Sequence, residues 1–295
     1  MDAAPPLPPL VRALRPAQWT KNLFVLAPLL FGKVANRPEH ALTTLAAAVS
    51  FCGVASSLYL LNDVMDRETD VLHPVKRQRP IASGEVTASR ALAAGAALFG
   101  GAVALGALRA PAALPWILLY AVLTALYSIV LKKVQLLDVF IIASGFVLRV
   151  LAGSAAAAVR PSHWLLLCTF FLALFLALSK RRGELAARGS GGRPSLHLVP
   201  TGLIESFENV ALGTTIVCYA LYTVSPETVA WFGTDRLLLT VPIVVFGLFR
   251  WRLVETRGGG EDTTSDLFAD RGLLLTVVVW GLTCAFLIYG VHVTP

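Results

Sequence analysis

The apolar run SLYLL is followed at once by Asn62, Asp63, Asp66 and Asp70, an NDxxDxxxD pattern. Continued as a helix, the three aspartates fall on one face, because their spacing follows the helical turn. Repulsion among three carboxylates is unfavourable unless cations join them. Hard divalent ions with oxygen ligands fit, and magnesium is usually held by one or two carboxylates together with substrate phosphates. Asn62, Asp63, Asp66 and Asp70 are therefore the candidate metal ligands, with Mg2+ as the expected cofactor, and the three aspartates are the candidate catalytic residues. The bland alternative is a solvated acidic turn at a helix end.

Directly downstream, HPVKRQRPIASGEV brings Pro74, which stops a helix, and then Lys76, Arg77 and Arg79. Carboxylates that hold metal next to cations that hold phosphate oxygens suit ionisation of a diphosphate ester, where charge builds on the leaving group. A second charged group, SKRRGEL, carries Lys180, Arg181, Arg182 and Glu184 and reads equally well as a basic stop after a membrane span. Arg149 lies inside the apolar stretch GFVLRVLAG, and an ionisable residue at membrane depth is a functional candidate by default. Asp138 precedes it by about three turns, roughly 16 Å, so both face one way without pairing. Ser144, Gly145, Ala152 and Gly153 around Arg149 allow close helix packing, and a hydrogen-bonding post between helices is the alternative role for Arg149. Lys21 and Asn22 in RPAQWTKN would be costly in a membrane unless they face a polar cavity, while Trp19 suits an interfacial belt. Tyr127 and Lys132 complete the substrate-binding candidates, which are Lys21, Asn22, Asn62, Lys76, Arg77, Arg79, Arg149, Lys180, Arg181 and Glu184 besides. In GGGEDTTSDLFADR, Asp262, Asp266 and Asp270 recur every four residues, as expected for acidic residues at a helix start.

The elements that must position these groups are membrane helices. Of 295 residues 56% are hydrophobic and 15% charged, which excludes an ordinary water-soluble domain of this length. Apolar stretches of about 20 residues are expected near 18–36, 41–61, 88–108, 112–131, 137–158, 163–180, 205–224, 236–254 and 272–292, the first weakened by Lys21 and Asn22. The fold class is thus all-α, a polytopic bundle of about nine transmembrane helices in one domain, 1–295. Nineteen of the 25 Lys and Arg residues then fall on the N-terminal segment and the even-numbered loops, which places that face, and the acidic clusters with it, in the cytoplasm. Cys52, Cys168, Cys218 and Cys284 lie in apolar stretches without CxxC spacing, so neither a disulfide framework nor a zinc site is expected. The start, MDAAPPLPPLVRALRP, lacks the apolar core of a signal peptide, and retention of the N-terminus is expected. The SGGRPS stretch near 190 and the glycines at 258–260 are expected loops.

NDxxDxxxD at Asn62 to Asp70, followed by KRxRPIASG at Lys76 to Gly84, resembles the UbiA superfamily of intramembrane prenyltransferases, and the likeness covers nearly the whole chain. Within it, RPxQWxKN at Arg15 to Asn22, HPxKRxRPIAxG at His73 to Gly84, LLDVF at Leu136 to Phe140 and KRxxEL at Lys180 to Leu185 look like the decaprenyl-phosphate phosphoribosyltransferase branch. The resemblance implies magnesium-dependent transfer of 5-phosphoribose from phosphoribosyl diphosphate to a polyprenyl phosphate, on the cytoplasmic side of a bacterial plasma membrane, feeding arabinose-donor synthesis for cell walls. Membrane lipids are the other expected partners; a homo-oligomer is compatible with the sequence, and no nucleic acid is expected. Prenyl-transferring members carry a second aspartate-rich motif after the sixth span, where this chain has Lys180, Arg181, Arg182 and a lone Glu184. A donor with a diphosphate at one end and a monophosphate at the other suits that polarity.

Two other functions share these features. An aromatic or heme-type prenyltransferase would use the acidic motif on a polyprenyl diphosphate, with Asp262, Asp266 and Asp270 replacing the second motif. A transporter would also bury Arg149, but transporters commonly show internal repeats and midplane sites, whereas the strongest cluster here sits at the end of a span.

Overall fold

The computed structural model describes residues 7–131, 134, 136–188, 200–256 and 263–290. Among them the regular structure is helical throughout. Two short elements, α1 (Pro9–Ala13) and a 3-10 segment (Pro16–Val25), lead into α2 (Ala27–Phe31) and then the 28-residue α3 (Pro38–Met65). After the short α4 (Arg67–Val71), α5 (Ala88–Arg109), α6 (Leu114–Ile129), α7 (Leu137–Ala156) and α8 (His163–Arg188) run back and forth. The chain continues through α9 (Thr201–Val224), α10 (Pro226–Phe232), α11 (Val241–Thr256), α12 (Thr263–Ala269) and α13 (Arg271–Ala285).

Seven helices among the described residues are long and apolar enough to cross a membrane, and the chain is an integral membrane protein. They are built on α3, α5, α6, α7, α8, α11 and α13. The predicted span at 205–224 coincides with the 24-residue helix α9, which is not among these seven and carries Glu205 and Glu208 in its first turns. The predicted span at 18–36 differs: it is broken into the 3-10 segment and α2. Pro28 explains the break, since it lacks an N–H and its ring clashes with the carbonyl four residues earlier, so it cannot sit inside a continuous helix.

Membrane helices gain little from hydrophobicity against one another, because lipid is equally apolar; close contact and hydrogen bonds must hold them. The seam between α3 and α5 follows that rule: Ser50 donates to the carbonyl of Ala102 at 2.7 Å, and a β-carbon on Gly53 would stand 2.7 Å from the Ala102 methyl. The two central helices are α3 and α7, with 67% and 61% of their apolar windows buried against 22% for α5 and α11. One core gathers Phe51, Val54, Ile117 and Leu148 around α3, α6 and α7; another gathers Val139, Phe175, Ile204 and Trp251 around α7, α8, α9 and α11. The four cysteines are free.

Gly153 seats the broken first span. A β-carbon there would lie 1.9 Å from the carbonyl oxygen of Val25, so α7 can meet the 3-10 segment only without a side chain. Gly153→Ala should lower unfolding stability in detergent by about 1–3 kcal/mol, and an unshifted melting temperature would show that the segment is not seated this way. At the start of α13, Asp270 accepts from the Leu273 N–H at 2.7 Å and from Arg250 at 3.0 and 2.9 Å. Those bonds, Arg250 first, hold its pKa below the ordinary aspartate value. A depressed pKa gives stability that is present above the unfolded value and lost as pH falls through the folded one. Asp270→Asn should therefore flatten the acid limb of a melting-temperature profile against pH, and a parallel profile would count against the cap.

Candidate active site

The ladder of α3 continues past its end, with the Asp66 N–H on the Asn62 carbonyl and the Asp70 N–H on the Asp66 carbonyl, both at 2.8 Å. A kink at Asp66 (φ −91°, ψ 4°) separates α3 from α4. The three aspartates consequently do not share one smooth face: Asp63 and Asp70 are each 3% exposed, while Asp66 stands partly exposed at the kink. Asp63 and Asp70 meet through Arg79, whose Nη1 lies 3.1 Å from Asp63 Oδ1 and 2.7 Å from Asp70 Oδ2. Arg15, at the head of the 3-10 segment, donates to the same Asp63 oxygen at 2.5 Å.

The loop after α4 delivers Arg79 to that position. His73 Nδ1 accepts from the backbone N–H groups of Val75 and Lys76, both at 3.2 Å, which tightens the turn. Lys76 and Arg77 then form a short 3-10 turn, with Lys76 half-buried and Arg77 exposed, and Ile81, 1% exposed, anchors the loop against Leu60 and Ala13. Arg77 borders an open hollow with Arg12, Ser83 and Glu85. Among the described residues no group of three or more His, Cys, Asp or Glu side chains stands ready to hold a metal. Two buried carboxylates converging on one cationic nitrogen are nevertheless a donor set that a magnesium ion fits once phosphate oxygens complete its shell.

SKRRGEL, basic in sequence, is surrounded by acids in space. Arg181, 4% exposed, lies 2.8 Å from Asp138, 2.6 Å from Glu184 and 3.4 Å from the Tyr127 hydroxyl. Arg182 reaches Glu208 at 2.8 Å and Glu255 at 2.7 Å, and Arg252 reaches the same two at 2.5 and 3.2 Å. Ser179 bonds Glu255 and accepts from the Trp251 indole at 2.9 Å. Glu184 is thus the one acid nearby in sequence, joined by Asp138, Glu208 and Glu255 from α7, α9 and α11. Glu208, Arg252 and Glu255 are not apparent as partners from the local sequence pattern, although a carboxylate in a spanning helix was itself a signal.

Asn22 and Arg149 are brought together, away from the aspartates. Arg149 donates from Nε to Asn22 at 2.8 Å, from Nη1 to the Gly145 carbonyl at 2.9 Å and from Nη2 to the Tyr120 hydroxyl at 3.1 Å. The rings of Phe51, Tyr120 and Phe146 pack around it. Asn22 also donates to Cys52. Lys21 and Lys180 are half-buried, and α12, which carries Asp266, packs against the 3-10 segment, with Thr264 and Thr20 hydroxyls 3.5 Å apart. Lys132, Asp262, the SGGRPS stretch and the glycines at 258–260 lie outside the described residues.

Fold and likeness together define the class: an intramembrane transferase. Residues 25–272 match the sequence model of the UbiA prenyltransferase family, and the chain belongs to that family. A decaprenyl-phosphate phosphoribosyltransferase of Mycolicibacterium smegmatis is 33% identical over 301 residues, covering 95% of this chain and 92% of that protein. The protein of the same name from Corynebacterium glutamicum is 31% identical, covering 95% and 86%. A UbiA homolog from Archaeoglobus fulgidus, solved bound to DMAPP and Mg2+, shares the fold with a TM-score of 0.71 at 17% identity, covering 94% of this chain and 99% of that one. Membership in an enzyme family sets aside the transporter reading.

Removing one partner from a buried ion network leaves the others uncompensated, at a cost of about 3 kcal/mol or more. Glu208 is fully buried between Arg182 and Arg252. Glu208→Ala should lower unfolding stability by that order, and a variant that melts with the native protein would show the network to be energetically idle.

Proposed function

We propose that this protein transfers the 5-phosphoribosyl group from phosphoribosyl diphosphate to a polyprenyl phosphate, with release of diphosphate and with Mg2+ as cofactor. The observation that carries the reading is the convergence of the buried Asp63 and Asp70 on one cationic nitrogen, Nη1 of Arg79. The names of the relatives support phosphoribosyl diphosphate among the donors that carry a diphosphate.

In this reading Asp63, Asp66 and Asp70, with Asn62, hold the metal, and the bound ion would neutralise charge on the leaving diphosphate. Arg79, Lys76 and Arg77 donate to diphosphate oxygens, and Lys180 and Arg181, with Lys21 and Lys132, serve the 5-phosphate at the other end of the donor. The bond from the anomeric carbon to the diphosphate oxygen breaks, its electron pair leaving with diphosphate. A lipid phosphate oxygen forms the new bond to that carbon. No strong base is required, because a phosphate monoester is ionised at neutral pH. The isoprenoid tail suits apolar helix faces such as the groove of about 410 Å³ lined by Leu58, Leu61, Gly95 and Ala125, one turn below Asn62. The excess of positive charge beside the same helix ends supports a cytoplasmic site in a bacterial plasma membrane.

A second reading draws on one observation. Asp138, Glu184, Glu208 and Glu255 surround Arg181 and Arg182, so a second acidic group exists in space where the sequence offers a lone glutamate. Such a group would suit a polyprenyl diphosphate donor and an aromatic acceptor.

Purified protein with magnesium should label a polyprenyl phosphate from labelled phosphoribosyl diphosphate. It should form no product from polyprenyl diphosphate and 4-hydroxybenzoate; the reverse outcome selects the second reading. Asp66→Ala and Asp70→Ala should each reduce turnover by about 100-fold or more while leaving the protein folded, Asp70→Ala with a lowered melting temperature because it takes the carboxylate from Arg79. Activity retained in both would remove the metal assignment.

A further inference from the structure

Arg15 holds a left-handed backbone conformation, φ 55° and ψ 61°, which costs a residue with a β-carbon energy unless its surroundings enforce it. The surroundings do so. Ser56 donates to the carbonyl of Leu14 at 2.8 Å and accepts from the Trp19 indole at 2.9 Å, pinning the chain to α3 on both sides of Arg15. What the strained residue presents is a guanidinium 5.0 Å from the Tyr59 ring centre, with Nη2 on Asp63 Oδ1.

That single oxygen carries both Arg15 and Arg79. The carboxylate side chains of Asp63 and Asp70 are 4% exposed, whereas the side chains of Arg15 and Arg79 are 28% and 29% exposed. The cations are therefore the members of the cluster that an incoming ligand meets first. Two carboxylates and two guanidiniums also balance in charge. A divalent cation arriving alone would have to expel both arginines from the carboxylates and leave them unpaired. A diphosphate arriving alone would meet two carboxylates at close range. Together the two ligands complete every pair.

We propose that Arg15 is a diphosphate-binding residue, and that Arg15 and Arg79 exchange Asp63 and Asp70 for diphosphate oxygens as a divalent cation takes those carboxylates. The inference rests on the function proposed above and adds a residue and a binding order to it. Guanidinium forks match phosphate oxygens as well as they match carboxylates, so the exchange conserves hydrogen bonds.

Mn2+ can replace Mg2+ as a spectroscopic probe, and inorganic pyrophosphate supplies the diphosphate without turnover. Full-length protein in detergent should hold Mn2+, followed by electron paramagnetic resonance, at least about 10-fold more tightly with pyrophosphate than without it. Arg15→Asn removes the charge while keeping a residue that tolerates left-handed backbone. It should weaken Mn2+-dependent pyrophosphate binding by about 10-fold or more, the order expected for a lost charge-assisted contact, and should not weaken Mn2+ binding alone. Arg15→Lys should recover part of the loss, which a purely structural role would not restore through charge. Unchanged pyrophosphate affinity in Arg15→Asn, or equally tight Mn2+ binding with and without pyrophosphate, overturns the exchange while leaving phosphoribosyl transfer standing. A native protein that binds no Mn2+ pyrophosphate at all overturns the parent reading and this inference with it.

Discussion

A charge next to hydrocarbon must be paired or caged, and in this chain that requirement decides which helices touch. An unpaired ion there costs several kcal/mol, more than a typical helix contact returns. Arg182 and Arg252 tie α8 to α9 and α11 through Glu208 and Glu255, and Arg181 ties α8 to α7 through Asp138. Arg79 and Arg15 tie the loop after α4 and the head of the 3-10 segment to α3 through Asp63. Close packing of small residues then fills the distances these pairs set, as at Gly53 and Gly153.

Much of this could be seen in the sequence. The apolar stretches mark the spans, because the length of a helix that crosses hydrocarbon is fixed by the bilayer, and the NDxxDxxxD pattern sits at the end of α3 as its position after an apolar run implies. Ser144, Gly145, Ala152 and Gly153 mark α7 as a close-packing helix, and Gly153 does receive the Val25 backbone. The region at 18–36 misleads because hydropathy averages over residues and is blind to Pro28, which breaks the helix without lowering the apolar content much. The kink at Asp66 is invisible for a similar reason: three aspartates at helical spacing imply one face only while the helix stays straight. SKRRGEL looks basic because its acids come from residues 138, 208 and 255, and no local pattern states which helix faces meet.

The broken first span has a consequence that a continuous helix could not deliver. Its 3-10 segment carries Arg15 at one end and Asn22 near the other, so one short element touches Asp63 at the membrane surface and Arg149 in the bundle interior. The segment is held from three sides, by Ser56 on α3, by the bare Gly153 on α7 and by α12 through Thr264. A rigidly seated segment can keep Arg15 in a strained backbone conformation, and a straight helix would have no left-handed residue to present.

Charge balance separates the two ends of the proposed site. Around Asp63 and Asp70 the arginines are the exposed partners and the carboxylates the buried ones, so an incoming cation and anion can exchange with them. Around Arg181 the relation is reversed: the guanidinium is 5% exposed, whereas Glu184 is the more open member at 17%. A ligand reaching the second group therefore meets a carboxylate before the arginine, and any phosphate bound there must first move Glu184 aside or be received by Lys180. Since a carboxylate repels phosphate and a displaced Glu184 would face a low-dielectric surround, Arg181 can serve the 5-phosphate only once Glu184 has moved, and until then it holds Glu184 and Asp138 in place.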